Sequence, residues 1–368
     1  MGVPRPQSRA ADPRQRAVIR LAAHGQRAEV LSAVIKLGLG LSVQHPPGDS
    51  QAERFRDHVE QVRLARAVGF DLIFASQHYL SHPFTYFQPF PTLGRIAAEA
   101  DGMTIGTGIL LLPLHQPLDV AEQVATLDVI SGGRFIFGVG LGYRDAETEA
   151  MNLNPKERVS RYVEALEVVE RLWSGEPVTY EGRHFRLKDV RISLPTLQRP
   201  RPPIWMAANG DVAVRRAARM ADAWFMNPHS TLATIERQLA LFRAERAIIK
   251  RAMGEVPLIR ECYLAPDAAT AYAEAQPYLE PKYEAYRSWE QDKALPAGES
   301  FDRSFEVLAR DRFLLGDPAR VADELLRYRE RLGITAVIVR AQWPGLPQER
   351  VLRTIRLLGE RVRPRLGL

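Results

Sequence analysis

The 368-residue chain has a single cysteine, Cys262, so it forms no internal disulfide and holds no Cys-rich metal centre. Long apolar runs are also missing. The longest, Ile105 to Leu114, falls far short of a membrane span and is broken by Pro113. With no spanning segment, no apolar signal stretch and no membrane partner indicated, the expected location is the cytoplasm. No internal repeat and no low-complexity linker is seen. What the chain does have is 46% hydrophobic residues, enough for a large core.

The net charge of +6 would suggest a nucleic-acid partner if it were spread over a surface. It is concentrated instead. Residues 1–34 carry Arg5, Arg9, Arg14, Arg16, Arg20 and Arg27 against Asp12 and Glu29, a local +4 that leaves +2 for the rest. Residues 1–34 read as a basic, disordered extension, with a targeting peptide or a basic arm as the alternatives. No nucleic-acid partner is expected.

From residue 35 onward, short β-prone runs alternate with helical patterns. Strands are expected at Ile35–Ser42, Leu72–Ala75, Met103–Leu112, Phe135–Val139, Ile204–Ala207, Ala223–Phe225, Pro257–Leu264 and Ala336–Arg340. Helices fit between them, one beginning in a capping-box pattern at Ser50 and Glu53, one closed by Gly132 and Gly133, one spanning Asp317 to Gly333. Eight strands, each followed by a helix, predict one α/β domain over 35–368, a (β/α)8 or TIM barrel, rather than an open doubly wound sheet. Two insertions are expected. A helix near Pro155–Trp173 plus a hairpin at Val178–Leu187 follows the fourth strand, and residues 266–316 follow the seventh, as a lid or as surface decoration.

In such a barrel the chemistry lies at the carboxyl ends of the strands. His78 and His115 fall there, and imidazoles exchange protons near neutrality, although a lone histidine also serves as a structural hydrogen-bonding residue. Gly138, Gly140 and Gly142 permit close approach of backbone to a flat ring or a phosphate; a tight loop is the plain alternative. The turn Asn209-Gly210-Asp211 opens a helix, so it offers free amides to an anion, unless Asp211 caps that helix itself. No carboxylate or thiol recurs at ligand spacing, so no metal is expected.

The segments AVGFDLIFASQHYL, IGTGILLLPLHQPLDVAEQVATLDVISGGRFIFGVGLGYRDAE and PPIWMAANGDVAVRRAARMADAWF closely resemble the bacterial luciferase-like monooxygenases. That resemblance implies a flavoprotein oxidoreductase, a non-proline cis peptide joining Gly108 to Ile109, flavin contacts from Ser76, Thr107, Gly140, Leu141, Gly142 and Tyr143, and a phosphate seat at Ala208, Asn209 and Gly210. It departs from luciferase in two places. Luciferase has Glu-His-His where this chain has Ser76, Gln77 and His78, and an arginine where Leu141 stands, so light emission from an aldehyde is not expected. The resemblance implies a monooxygenase of the paired-donor type that takes reduced FMN from a separate flavin reductase and oxidises a small organic substrate with molecular oxygen. His78 and Gln77 are then expected at the reactive edge of the flavin, with Tyr143 or His115 assisting. A homodimer is also implied. The alternatives are a deazaflavin-dependent dehydrogenase or reductase of the same fold and a flavin-binding protein without activity.

Overall fold

The structure, a computed structural model, describes residues 34–296 and 298–367. The basic leader, and the reading of it as a disordered extension, lies outside the described residues apart from Val34. From β1 (Lys36–Leu41) the chain alternates through α1 (Gln51–Ala67), β2 (Leu72–Ala75), α2 (Pro89–Ile96), β3 (Thr104–Thr107), α3 (Pro117–Ile130) and β4 (Phe135–Gly140). Two helices, α4 (Asp145–Ala150) and α5 (Arg158–Leu172), and the antiparallel pair Val178–Glu181 with Arg186–Val190 precede β5 (Ile204–Ala207). Then come α6 (Asp211–Met220), β6 (Ala223–Phe225), α7 (Leu232–Ile248) and β7 (Pro257–Leu264). The chain ends with α8 (Ala268–Ser288), α9 (Phe305–Ala309), β8 (Phe313–Gly316), α10 (Pro318–Leu332), β9 (Ala336–Arg340) and α11 (Gln348–Leu357).

The parallel strands follow the order β6-β5-β4-β3-β2-β1-β9-β7, with β8 added beyond β7. A bridge between Met226 and Leu258 joins the two ends of that order, through Met226 N–H to Pro257 O at 3.1 Å and Ile259 N–H to Met226 O at 3.0 Å. The sheet therefore closes into a (β/α)8 barrel. Its interior is filled by Leu72, Phe74, Ile136, Trp205, Phe225, Ile259 and Ile338, with Phe74 stacked on Trp205 at 5.4 Å and both against Phe225. Room for Phe74 comes from β3. A Cβ on Gly106 would sit 2.6 Å from the Phe74 ring, which is why glycine occupies a strand position where it contributes little β propensity.

Three expectations need correction. The third strand does not run unbroken from Met103 to Leu112: it stops at Thr107, the Gly108–Ile109 peptide is cis, and Leu110 and Leu111 then pair with Val139 and Gly140. The capping box is not formed, because the Ser50 side chain makes no bond to α1, and Gln51 Nε2 donates to Asp49 O at 2.8 Å instead. Residues 266–316 are not one long loop. They contain the 21-residue α8, capped by Asp267 accepting from Thr270 N–H, and the ninth parallel strand β8, which pairs with Glu261–Leu264. Pro277 and Pro281 lie inside α8, and both are residues that normally end a helical pattern.

The seam between β1, α1 and the segment after β9 is polar and buried. His45 Nε2 meets His58 Nε2 at 2.9 Å, His58 Nδ1 faces Gln61 Oε1, and Gln61 Nε2 donates to Gln342 Oε1 at 2.8 Å. Burial drives both imidazoles toward the neutral form, His45 down to about 3, helped by His58 and Arg54, and His58 to about 4, against the hydrogen bond it donates to Gln61. In the unfolded chain both take up protons near 6.5. The folded state therefore loses stability as pH falls below about 6.5 toward 4, by on the order of several kcal/mol for two such groups. Urea unfolding at pH 7 and pH 4.5 should show this loss, and His58→Gln should shrink it; an identical loss in parent and variant would refute the assignment.

Candidate active site at the barrel mouth

The carboxyl ends of β1 to β6 and β9 surround a cavity of about 260 Å³ whose floor is Phe225 and, from β7, Ile259, the top of the barrel core. Ser76, Gln77, His78, Gly108, Ile109, Gly140, Leu141, Gly142, Tyr143, Ala208, Asn209 and Gly210 all line it. The ends of β3, β4 and β5 converge closely. A Cβ on Gly140 would lie 2.3 Å from Ile109 Cδ1 and 3.6 Å from Ala207 Cβ, so this wall is shaped by the absence of a side chain. Gly142, at φ +75°, turns the chain past it in a conformation that favours glycine.

Thr107 and His115 stand behind the wall rather than on it. Thr107 is fully buried, and its hydroxyl donates to Gly138 O at 2.6 Å. His115 Nε2 lies 3.0 Å from Gln77 Oε1, and burial lowers its pKa to about 4, so the neutral ring donates to the amide. Gln77 is saturated: its oxygen also accepts from Leu111 N–H at 2.9 Å, and its nitrogen donates to Tyr79 Oη and to Gln88 Oε1. These bonds tie the end of β2 to the segment after β3.

His78 is placed differently. Its Nδ1 lies 3.0 Å from Glu147 Oε1, a carboxylate on α4 that is 1% exposed and also accepts from Tyr79 N–H at 2.9 Å. A carboxylate accepting at Nδ1 fixes the tautomer and leaves Nε2 free to accept or donate a proton. The ring is packed edge-on to Tyr86 and Tyr143, each at 5.7 Å. Burial raises the pKa values of both tyrosines, so they remain neutral hydroxyls; Tyr86 Oη lies 2.5 Å from Ser76 Oγ, and Tyr143 Oη donates to Gln291 Oε1 beyond α8. Nothing in the sequence pattern had singled out Glu147, which lies sixty-nine residues from its partner.

Across the cavity, α6 begins with Gly210 as its N-cap and no side chain bonded to its first amides. Asp211 does not cap the helix. Its carboxylate is drawn sideways into a two-bond pair with Arg237, at 2.7 and 2.9 Å, and accepts from Gln238 Nε2 at 3.1 Å; those bonds hold its pKa down to about 2. Asn209 is anchored by its Oδ1, which accepts from Asn227 Nδ2 at 2.9 Å, and by its carbonyl, which accepts from Gln238 Nε2 at 2.6 Å. Arg216, one turn into α6, lines the same cavity and pairs with no acid among the described residues. Free amides at a helix N-terminus and an unpaired guanidinium make an anion seat.

Other residues reach the mouth that the sequence had not marked. Arg340 ends β9, where the rule of strand ends applies as well as anywhere, and Lys282 and Tyr286 come from α8. His229, from the segment after β6, is driven toward the neutral form: burial and the cations Arg340, Lys282, Arg312 and Arg260 all depress its pKa. Among the described residues no group of three or more His, Cys, Asp or Glu side chains could hold a metal ion, and no helix is long and apolar enough to cross a membrane.

Fold and mouth together define a (β/α)8-barrel protein whose site lies at the carboxyl rim, with an anion seat on β5–α6 and a carboxylate-held histidine opposite. The chain belongs to the luciferase-like monooxygenase family, whose model matches residues 35–336. Its fold resembles the crystal structure of monooxygenase RslO1 from Streptomyces bottropensis, with a TM-score of 0.80 and 26% identity, covering 90% of this chain and 99% of that one. It is 28% identical to an F420-dependent glucose-6-phosphate dehydrogenase of Intrasporangium calvum over 82% of this chain and 94% of the relative. It is also 31% identical to a 4-hydroxyprotoasukamycin monooxygenase of Streptomyces nodosus, over 44% of this chain and 43% of that protein. Its relatives thus include both monooxygenases and F420-dependent dehydrogenases.

Proposed function

We propose that the protein is a flavin-dependent monooxygenase that takes reduced FMN from a separate reductase and uses molecular oxygen to oxidise a small organic substrate. The observation that carries the reading is the anion seat: uncapped amides at Gly210 and α6, with Arg216 beside them and Asp211 tethered away. FMN ends in a phosphate monoester, close to a dianion at neutral pH. A helix N-terminus plus an unpaired arginine suits two negative charges, whereas the phosphodiester of a deazaflavin brings one. The glycine-shaped wall at Gly140 suits a flat ring system beside it.

Reduced FMN, when bound, supplies the electrons that activate dioxygen. The chain supplies position and shelter. The β3–β5 wall and the β5–α6 turn would hold ring and phosphate, and Tyr86, Tyr143 and Tyr286 would narrow the water-accessible space above them. His78, with its tautomer set by Glu147, would hold or move a proton at Nε2.

Arg216→Ala is expected to weaken FMN binding about 10- to 100-fold, the worth of one charge-assisted contact, and to leave riboflavin, which has no phosphate, unaffected. Fluorescence titration of both ligands tests this, and an equal loss for the two would remove Arg216 from the seat. The deazaflavin reading is supported by several F420-dependent relatives, among them the glucose-6-phosphate dehydrogenase matched over 94% of its length. Oxygen consumption with reduced FMN, set against hydride transfer with F420, separates the two.

A further inference from the structure

A second charged group in the cavity is left over by the FMN reading. Glu261, on β7, is fully buried; its Oε1 lies 2.7 Å from Lys282 Nζ, and its Oε2 accepts from Trp343 Nε1 at 2.7 Å. Both carboxylate oxygens are thus engaged. Arg340 Nη1 is 3.8 Å from Glu261 Oε1, beyond hydrogen-bonding distance, and among the described residues neither cation pairs with another acid. Two cations that line the cavity share one carboxylate.

The neighbouring ion pair does not correct the balance. Arg312 is matched by Glu299, and Arg260 is spent on the carbonyls of Asn227 and Ser230 behind the wall. A buried, uncompensated cation is unfavourable unless a ligand brings the opposite charge. Arg340 is the partner with free donors: its side chain is 18% exposed, and its guanidinium presents a planar fork that matches a carboxylate. Of Lys282 and Arg340, the two cations that face the cavity here, Glu261 matches one, and the charge left on the cavity side suits a monoanion. Tyr86 and Tyr286, both lining the cavity beside Arg340, offer flat apolar surface to the body that carries it.

Building on the flavin reading, we infer that the substrate is an organic carboxylate, its anionic group held by Arg340 over the Lys282–Glu261 pair and its flat apolar body set against Tyr86 and Tyr286. Arg340 then determines specificity, and the anion seat on α6 is left to the cofactor.

The test is calorimetric and needs no turnover. The full chain, free of flavin, is titrated with benzoate, 3-phenylpropanoate and 2-naphthoate, each against its neutral amide. At least one acid should bind tenfold or more tightly than its amide; that preference should vanish in Arg340→Gln and in Lys282→Met, and persist in Arg216→Ala. Circular dichroism confirms that each variant is folded, and the two cavity variants stand in for one another if either is not. If no acid outbinds its amide in the parent, or if the preference survives in the folded cavity variant or disappears in Arg216→Ala, the inference is overturned. A parallel FMN titration keeps the two readings apart: loss of FMN binding in the parent counts against the cofactor alone, and an absent carboxylate preference counts against the substrate class alone.

Discussion

Gly138→Ala is expected to yield little or no folded protein. A Cβ at that position would lie 1.8 Å from Thr107 O, and the obstacle is main chain, not a side chain able to rotate away. Thr107 is itself locked, because its hydroxyl donates to Gly138 O across the point where the β3–β4 ladder stops. Overpacking a core usually costs about 1–3 kcal/mol, and a clash with rigid backbone in the middle of the barrel should exceed that range. Gly140→Ala is a useful contrast. Its new methyl would clash with the movable end of Ile109 and reach Ala207 Cβ only at an ordinary 3.6 Å, so that variant should fold while its cavity is narrowed. Thermal unfolding followed by circular dichroism distinguishes the cases, and a Gly138→Ala protein that melts like the parent would mean that β3 and β4 do not meet as described.

The second large effect concerns His78. Its replacement by alanine should lower turnover about 10²- to 10⁴-fold, the usual contribution of a positioned acid or base, while FMN affinity stays within a fewfold of the parent. Glu147→Gln should fall between parent and alanine variant. The amide preserves the shape of the buried site but no longer fixes which ring nitrogen carries the proton at Nδ1, 3.0 Å away. Turnover measured with saturating reduced flavin gives the comparison. Unchanged turnover in His78→Ala would assign the proton chemistry elsewhere, with Tyr143 the next hydroxyl in contact with the ring.

The barrel was legible because parallel strands buried on both faces leave continuous apolar runs, and each such run here is followed by a helical period. Strand ends then pointed to His78, Gly140 and Asn209, which do meet around one cavity. Three features resisted reading, each for a physical reason. The helix α8 was hidden by Pro277 and Pro281, whose local preference opposes the helix that tertiary packing imposes. The strand β8 lies outside the eight-strand alternation, paired only with Glu261–Leu264 of β7, so the barrel pattern offers no place for it. Glu147 and Glu261 act through contacts to residues sixty-nine and twenty-one positions away, and such pairings leave no trace in spacing. Gln77 and His115 show the converse: their location at strand ends was evident, but only the hydrogen bonds reveal that they brace the rim.

The sideways tether of Asp211 bears on any attempt to make this protein hardier. Ordinary optimisation of a helix start would station an acidic or hydroxyl side chain over its leading N–H groups, a change worth about 1 kcal/mol. Here the acid is already in place but leashed to Arg237 and Gln238, so the helix forgoes that gain and keeps its doorway vacant. On the proposed reading, heat resistance engineered at this turn would be won at the expense of phosphate binding there.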